Sequence, residues 1–593
     1  MTEAILKKAR VWTAPQFDEK TRGKIQELID KNGEKELTDR FYKELEFGTG
    51  GMRGIMAAGT NRMNIYTVGR ASQGLARYLL DNYSDAAVRG VSIAYDSRNN
   101  SRLFAHESAR VLAANGIRVF VFPELRPTPL LSFTVRHLVN RAGIVITASH
   151  NPKEYNGYKV YSADGAQITY PEDERIVEYV DKTDIIRGVK RMEYSDGIKQ
   201  GLITELGTDV EDSYLHKVGE FTRGVEKGIQ KELVKVGRDI KVVYSPLHGT
   251  GITLVPKALE KIEGVVVLCE KEQSIPDGNF PTTPTPNPEE VQALSRAIEY
   301  ARKEDADMVI ATDPDCDRMG LAVPDENGNF ISLNGNQIGS LLAYLITSSY
   351  QKSGNMPEDP VIISTIVSTE LAGEIAHTFG TDIFYVLTGF KFIAGKMREF
   401  EENGKNHFIF GFEESYGYLA DTFVRDKDGV IASVLALLLV KYSIGAHGSV
   451  MAFLEFLYRK YGMFMEYQKS FILKGSEGAQ KITTLMENLR GNPPEDIAGD
   501  KVEVIKDYLI QKVKLLKEGD EKDITGLPKS NVLQFYTENK IKVSVRPSGT
   551  EPKIKFYFAF TTPFSESLQE TKKILDDRYK YVSEVLFKKY GLM

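Results

Sequence analysis

Gly143-Ile144-Val145-Ile146-Thr147-Ala148-Ser149-His150-Asn151-Pro152 joins a short β-branched run to a polar turn. The apolar residues have the length and composition of a buried strand, and the Ser/Asn/Pro cluster breaks it. The arrangement recurs: residues 91–95 run into Asp96-Ser97-Arg98, 241–244 into Ser245, 307–311 into Thr312 and 408–410 into Gly411. With a helical pattern expected after each loop, the repeat predicts an open α/β sheet. Ligands bind such sheets outside the carboxyl ends of the strands, so the polar residues of these loops are the site candidates.

A length of 593 residues predicts about four domains. The cuts are placed in the polar stretch 196–209, near 324–329 and around 447–461, giving domains of residues 1–208, 209–325, 326–455 and 456–593. The first three are expected to be α/β with mixed sheets and the last α+β. In that last segment strands at 540–545 and 554–561 flank a loop, and a helix over 566–590 closes the chain. Residues 274–290, rich in Pro, Asn and Thr, read as an extended loop.

A composition of 42% hydrophobic and 27% charged residues is that of a folded globular protein. The formal net charge of -6 offers no long-range attraction to nucleic acid or an anionic membrane, so phosphate binding must come from local basic pockets. Cys269 and Cys316 are the only cysteines and have no metal-ligand spacing, which fits a reducing cytoplasm. The strongest apolar run, residues 430–440, is far shorter than the ~20 residues of a membrane span and reads as a buried helix. No nucleic-acid or membrane partner is expected.

Four loops carry chemistry. In the opening stretch, Ser149 is a candidate covalent carrier beside the imidazole of His150; G-x-S-x-G is absent, which argues against an esterase elbow. Taken alone this loop is also an ordinary turn. In Thr312-Asp313-Pro314-Asp315-Cys316-Asp317-Arg318, alternate carboxylates turn toward one point and repel unless a cation joins them. Hard oxygen ligands suit Mg²⁺, a phosphoserine oxygen can complete the set, and Arg318 can neutralise phosphoryl oxygens. The Gly and distant Glu of an EF-hand are missing. Arg546-Pro547-Ser548-Gly549-Thr550 combines a bidentate cation, hydroxyls and a glycine, the makings of a phosphate cradle without a Walker loop. Gly411-Phe412-Glu413-Glu414-Ser415 supplies carboxylates and a hydroxyl suited to a polyol. Arg53, Lys159 and Lys391 are cations beside glycines that can face a phosphate, and His248 can brace a turn.

In this order and combination the loops resemble the α-D-phosphohexomutase superfamily, most closely its phosphoglucomutase/phosphomannomutase and phosphopentomutase branch. The resemblance implies three α/β domains and an α+β domain around a central cleft. It makes Ser149 the phosphoserine and, with Asp313, Asp315 and Asp317, a ligand of Mg²⁺. Arg318 would contact the transferring group, and Glu413 and Ser415 would hold sugar hydroxyls. Arg546, Ser548, Gly549 and Thr550 would grip the phosphate that is not reacting, with Arg53, Lys159 and Lys391 completing the positive lining and His150 orienting the phosphoserine. The implied activity interconverts hexose 1-phosphate and 6-phosphate, glucose before mannose, through a bisphosphorylated sugar, with glucose 1,6-bisphosphate as activator; a phosphopentomutase or a sugar bisphosphate synthase is the alternative. A cytoplasmic monomer or weak homodimer is expected. Some family members have a histidine after the sugar-binding motif where this chain has Gly417 and Tyr418, leaving Lys391, Lys159 and His150 open as the general base. Pro314 and Cys316 stand where many members have glycines. Against these readings stand a phosphohydrolase, in which water accepts the phosphoryl group, and a non-enzymatic sugar-phosphate sensor, which has no use for the serine and metal loops together.

Overall fold

The structure, a computed structural model, describes residues 3–48, 50–473, 475–548 and 553–592. It divides into two compact units, residues 1–334 with 415–441 and residues 335–414 with 442–593.

Among the described residues of the first unit, two mixed sheets carry the loops of interest. In the larger, Val91–Tyr95 lies parallel to Val119–Val121 and to Ala142–Ile146, and Ala142–Ile146 pairs antiparallel with Tyr155–Ser162, which pairs in turn with Gly51–Ile55. Val91–Tyr95 and Ala142–Ile146 are buried along their whole length, as strands covered on both faces must be. Helix Ile65–Asn82 covers this sheet; Asn64 caps it in a reciprocal box with Thr67, and its buried Val68, Ala71, Leu75 and Leu79 join the core. Three helices, Glu3–Val11, Glu19–Asp30 and Glu34–Phe41, pack around Trp12, Phe17 and Phe41. In the second sheet Ile240–Ser245 is parallel to Val265–Cys269 and Met308–Thr312, and Met308–Thr312 is antiparallel to Met319–Pro324.

A helix does follow Val91–Tyr95, at Ser101–Ala114. The strands Ala142–Ile146 and Met308–Thr312 lead instead into the antiparallel strands Tyr155–Ser162 and Met319–Pro324, and His407–Glu413 is followed in the chain by the strand Gly417–Ala420. The serine and aspartate loops are therefore hairpin connections, gripped by ladder hydrogen bonds at both ends. The reading missed this because short apolar runs bounded by turns do not reveal the direction of the next element.

In the second unit, Pro360–Thr365 runs parallel to Asp382–Val386 and to His407–Glu413. Helix Gly335–Ser353 lies so close to this sheet that a Cβ on Gly339 would meet the Phe412 ring at 2.3 Å. The C-terminal part is antiparallel: Met463–Ile472 pairs with Lys553–Thr562, which pairs with Lys542–Pro547, and helix Leu568–Lys589 packs on it. The α+β expectation thus holds, with element ends shifted by one or two residues. Helix Gly429–His447 extends the apolar run to 19 residues, long and apolar enough by length and composition to cross a bilayer, but 83% of its apolar window is buried within the protein, as in a core helix.

Glu466, on strand Met463–Ile472, sits among Thr369, Asn336, Lys542 and Glu370 with its Oε1 buried and without a hydrogen-bond donor. Burial pushes its carboxyl up to about 7, against the pull of Thr369 and Lys542. The folded state therefore keeps a proton that the unfolded chain releases near pH 4.5, and stability contributed below that pH is lost as pH rises toward 7. Urea unfolding should show this fall in the wild type. Glu466→Gln should flatten it and be the more stable protein at pH 8, by about 3 kcal/mol at most; parallel pH curves for the two proteins would contradict this account.

Candidate active site

Ser149 lies at the tip of the first hairpin with a φ of 51°, in the left-handed region that a non-glycine residue enters only when its surroundings hold it there. Its amide donates to Thr147 Oγ1 (2.8 Å), and Arg98 Nη2 donates to its carbonyl (2.5 Å). Its hydroxyl donates to Asp313 Oδ2 (2.6 Å) and lies 3.1 Å from His150 Nδ1. Burial holds the His150 imidazole well below its ordinary pKa, and Arg318 and Arg53 add to this, so the ring is neutral near pH 7. Arg53, on the neighbouring strand Gly51–Ile55, donates to Asn151 Oδ1 (2.8 Å).

The second hairpin sets Asp313, Asp315 and Asp317, all buried, so that one ligand oxygen of each lies within 4.8 Å of the others. Cys316 between them has a φ of 54°, in the left-handed region where a glycine would be unstrained. Asp313 Oδ1 accepts the amides of Asp317 (3.1 Å) and Arg318 (3.0 Å), which curls the loop about its first carboxylate. Lys159 Nζ reaches Asp315 (2.9 Å) and Asp317 (3.5 Å), Lys427 Nζ reaches Asp317 (3.0 Å), and Thr128 Oγ1 donates to Asp315 (3.2 Å). Burial pushes the Asp313 carboxyl well up, and Asp315 and Asp317 push it further. Asp317 is held well below the usual carboxylate range, because Lys427, Lys159 and Arg318 outweigh its burial. Burial would lower the Lys159 ammonium, but Asp315 and Asp317 outweigh it and raise it, so Lys159 is a fixed cation.

These residues suit a hard divalent cation. Asp315 Oδ1 and Asp317 Oδ1 are buried with no hydrogen-bond donor, an arrangement that costs free energy unless a cation takes the oxygens. An all-oxygen set fits Mg²⁺, and Ser149 Oγ, already against Asp313, is placed to bring a phosphoryl oxygen to the same point.

Of the remaining expected residues, Arg318 joins this group but turns its Nη1 to Glu289, with its Nε 3.9 Å from Asp317. Ser415 belongs to the first unit and is half-buried. Lys391, Glu413, Arg546 and Ser548 belong to the second. There Glu413 Oε1 accepts the Gly389 amide (2.7 Å), tying the acidic loop to the one bearing Lys391, whose Nζ lies 5.1 Å from the Phe392 ring. Arg546 hydrogen bonds Tyr557, whose phenol is raised by burial and by the charges of Glu414 and Glu413. The Ser548 amide donates to the Lys553 carbonyl (2.7 Å). Gly549 and Thr550 lie outside the described residues. His248 bridges two loops, its ring nitrogens on the Ile275 carbonyl (2.9 Å) and Thr282 Oγ1 (2.8 Å), as a turn brace would.

Sequence reasoning passed over Lys427, Thr128 and Arg98. Lys427 stands in Asp426-Lys427-Asp428, a pattern that reads as solvated surface, and Thr128 in Pro127-Thr128-Pro129 reads as a helix start. Only Arg98 carried a signal, since it closes a strand-end loop of the kind already singled out.

Models of phosphoglucomutase/phosphomannomutase alpha/beta/alpha domains I, II and III match residues 44–186, 212–328 and 334–461. The phosphoglucomutase of Staphylococcus haemolyticus is 36% identical over 550 residues, 91% of this chain and 94% of the relative. That of Staphylococcus saprophyticus is 35% identical over 558 residues, 94% and 97% of the two chains. Among solved structures, a putative phosphomannomutase from Thermus thermophilus shares the fold with a TM-score of 0.63 at 20% identity, covering 91% of this chain and 99% of that one. The open form of the Paramecium phosphoprotein pp63/parafusin does so with a TM-score of 0.65 at 17% identity, covering 92% and 96%.

Removing one of the clustered oxygens should expose its role. Calorimetric titration of Asp315→Asn with Mg²⁺ is expected to show affinity reduced by at least about 100-fold, with the far-ultraviolet spectrum unchanged. Wild-type affinity in this variant would exclude the triad as the metal site.

Proposed function

The chain belongs to the phosphoglucomutase/phosphomannomutase family, and on that premise we propose that it interconverts glucose 1-phosphate and glucose 6-phosphate through a phosphorylated Ser149. The observation that carries this reading is the approach of Ser149 Oγ to Asp313 at 2.6 Å, inside a ring of three carboxylates and three cations. A phosphoserine here would add its charge to a site already balanced for a dianion and a metal. Mg²⁺ held by Asp313, Asp315, Asp317 and a phosphoserine oxygen would supply charge neutralisation to the transferring group.

In the first half-reaction the bond between phosphorus and Ser149 Oγ breaks and one to the free sugar hydroxyl forms, giving glucose 1,6-bisphosphate. In the second, the other phosphoryl group returns to Ser149. The sugar hydroxyl gives its proton to a base in the first step while Ser149 Oγ, losing phosphorus, takes a proton up; in the second step Ser149 Oγ gives its proton up and the sugar oxygen that loses phosphorus takes one. Of the three candidates, Lys159 is committed to Asp315 and Asp317 as a cation, whereas the neutral His150 imidazole, 3.1 Å from Ser149 Oγ, has the lone pair that a base needs. By the family resemblance Glu413 and Ser415 would take sugar hydroxyls, and Arg546 and Ser548 with Lys391 the phosphate that is not reacting. The Staphylococcus relatives named above are phosphoglucomutases, which favours the hexose over the pentose reading. Added glucose 1,6-bisphosphate would restore chains that have lost their phosphoryl group.

A coupled assay for glucose 6-phosphate tests this directly. Turnover of glucose 1-phosphate is expected to need Mg²⁺, to be stimulated by glucose 1,6-bisphosphate, and to fall by at least about 10⁴-fold in Ser149→Ala. Release of inorganic phosphate alone, or appreciable turnover by Ser149→Ala, would overturn the proposal.

A further inference from the structure

Arg98 is buried behind the serine hairpin, and its guanidinium is surrounded by backbone oxygens. Its Nη1 donates to the carbonyls of Pro152 (2.9 Å) and Tyr155 (3.1 Å), and its Nη2 to those of Ser149 (2.5 Å) and Asn151. Its Nε lies 3.3 Å from Asp96 Oδ2, with both side chains fully buried, and the guanidinium stacks 4.9 Å from the Phe280 ring. Asp96 is itself fixed, its Oδ1 accepting the Arg98 amide (2.9 Å) and the Ser101 hydroxyl (2.7 Å).

Four carbonyls converging on one point would repel one another. A planar cation with five donors can bridge them, whereas an ammonium offers three donors and no fork. Two of the four belong to Ser149 and Asn151, whose side chains face Asp313 and Arg53, so the cation governs the backbone of the residues that do the work. Phe280 lies in the 274–290 loop, which enters this region closely: Asn279 Oδ1 accepts from Asn99 Nδ2 (3.1 Å), and a Cβ on Gly278 would come within 2.3 Å of the Asn99 amide nitrogen. The same loop supplies Glu289 to Arg318. The clamp thus ties the serine hairpin to the side of the unit that carries the aspartates.

We infer that Arg98 is a positioning residue that holds the left-handed Ser149 and sets its Oγ against the aspartate cluster, a role that rests on the mutase reading of Ser149. Phosphoryl transfer depends on alignment, and a displacement of about 1 Å can cost about 100-fold in rate. The sugar and its distal phosphate are assigned to other residues, so the effect belongs in kcat.

The test compares wild type with Arg98→Lys and Arg98→Ala, using glucose 1-phosphate, Mg²⁺ and glucose 1,6-bisphosphate. Arg98→Lys is expected to lower kcat by about 100-fold with KM within about twofold. Guanidinium chloride at millimolar concentration should restore Arg98→Ala at least about tenfold where sodium chloride does not. A folded Arg98→Lys with kcat within about threefold of wild type, or a loss confined to KM, overturns the inference. Should both Arg98 variants fail to fold, Asp96→Asn decides: kcat at least about tenfold lower at unchanged KM supports the clamp, and wild-type kcat overturns it. Hydrogen exchange of the 147–157 segment separates this from the mutase reading. If the wild type has no hexose-phosphate activity, that reading falls, and the clamp then stands on faster exchange confined to this segment in Arg98→Lys, or in Asp96→Asn if that is the variant that folds, and falls if exchange is unchanged.

Discussion

Three carboxylates brought within 4.8 Å of one another in a buried loop set the terms for the rest of the first unit. Two like charges roughly 4 Å apart repel by about 4 kcal/mol at an effective dielectric of about 20, so the loop is tolerable only where cations face it. Lys159 arrives from the strand Tyr155–Ser162, Lys427 from the segment before helix Gly429–His447, and Arg318 from the loop itself. Each is delivered by a different element, which is why the cluster closes only in the folded chain. The remaining imbalance is seen in the raised carboxyl of Asp313 and in two buried oxygens without donors, both of which a divalent cation would relieve.

The hairpin form of the two key loops follows from the same demand. A strand-to-helix loop is anchored by a ladder at one end, whereas Thr147 to Tyr155 and Asp313 to Met319 are bounded by paired strands on both sides. Such a loop can keep strained residues, and Ser149 and Cys316 both sit at positive φ. Rigid presentation suits a reaction whose catalysis is alignment and charge neutralisation rather than covalent help from many groups.

Within the second unit the logic is different. Glu413 is pinned by the Gly389 amide and Arg546 hydrogen bonds Tyr557, so each charged side chain is fixed by a neighbour within the unit. Apolar contacts among Ile366, Val367, Leu387, Val532 and Tyr557 bind the parallel and antiparallel parts of that unit.

The amino-acid sequence by itself determined the strands, their buried character and the loops that end them, because β-branched runs and turn residues act locally. It also determined the residue types at Ser149, Asp313, Asp315, Asp317 and Arg546, whose chemistry is legible in short motifs. Only the tertiary structure decided that the serine and aspartate loops return as antiparallel hairpins, since the direction of the next strand depends on long-range pairing. It alone brought Lys427, Thr128 and Arg98 to the site, from positions 110, 187 and 51 residues away from Asp317, Asp315 and Ser149. A lone cation or threonine in a sequence has no periodicity to betray it; its partner is chosen by the fold, and its charge acquires meaning only where burial has removed the water that would otherwise screen it.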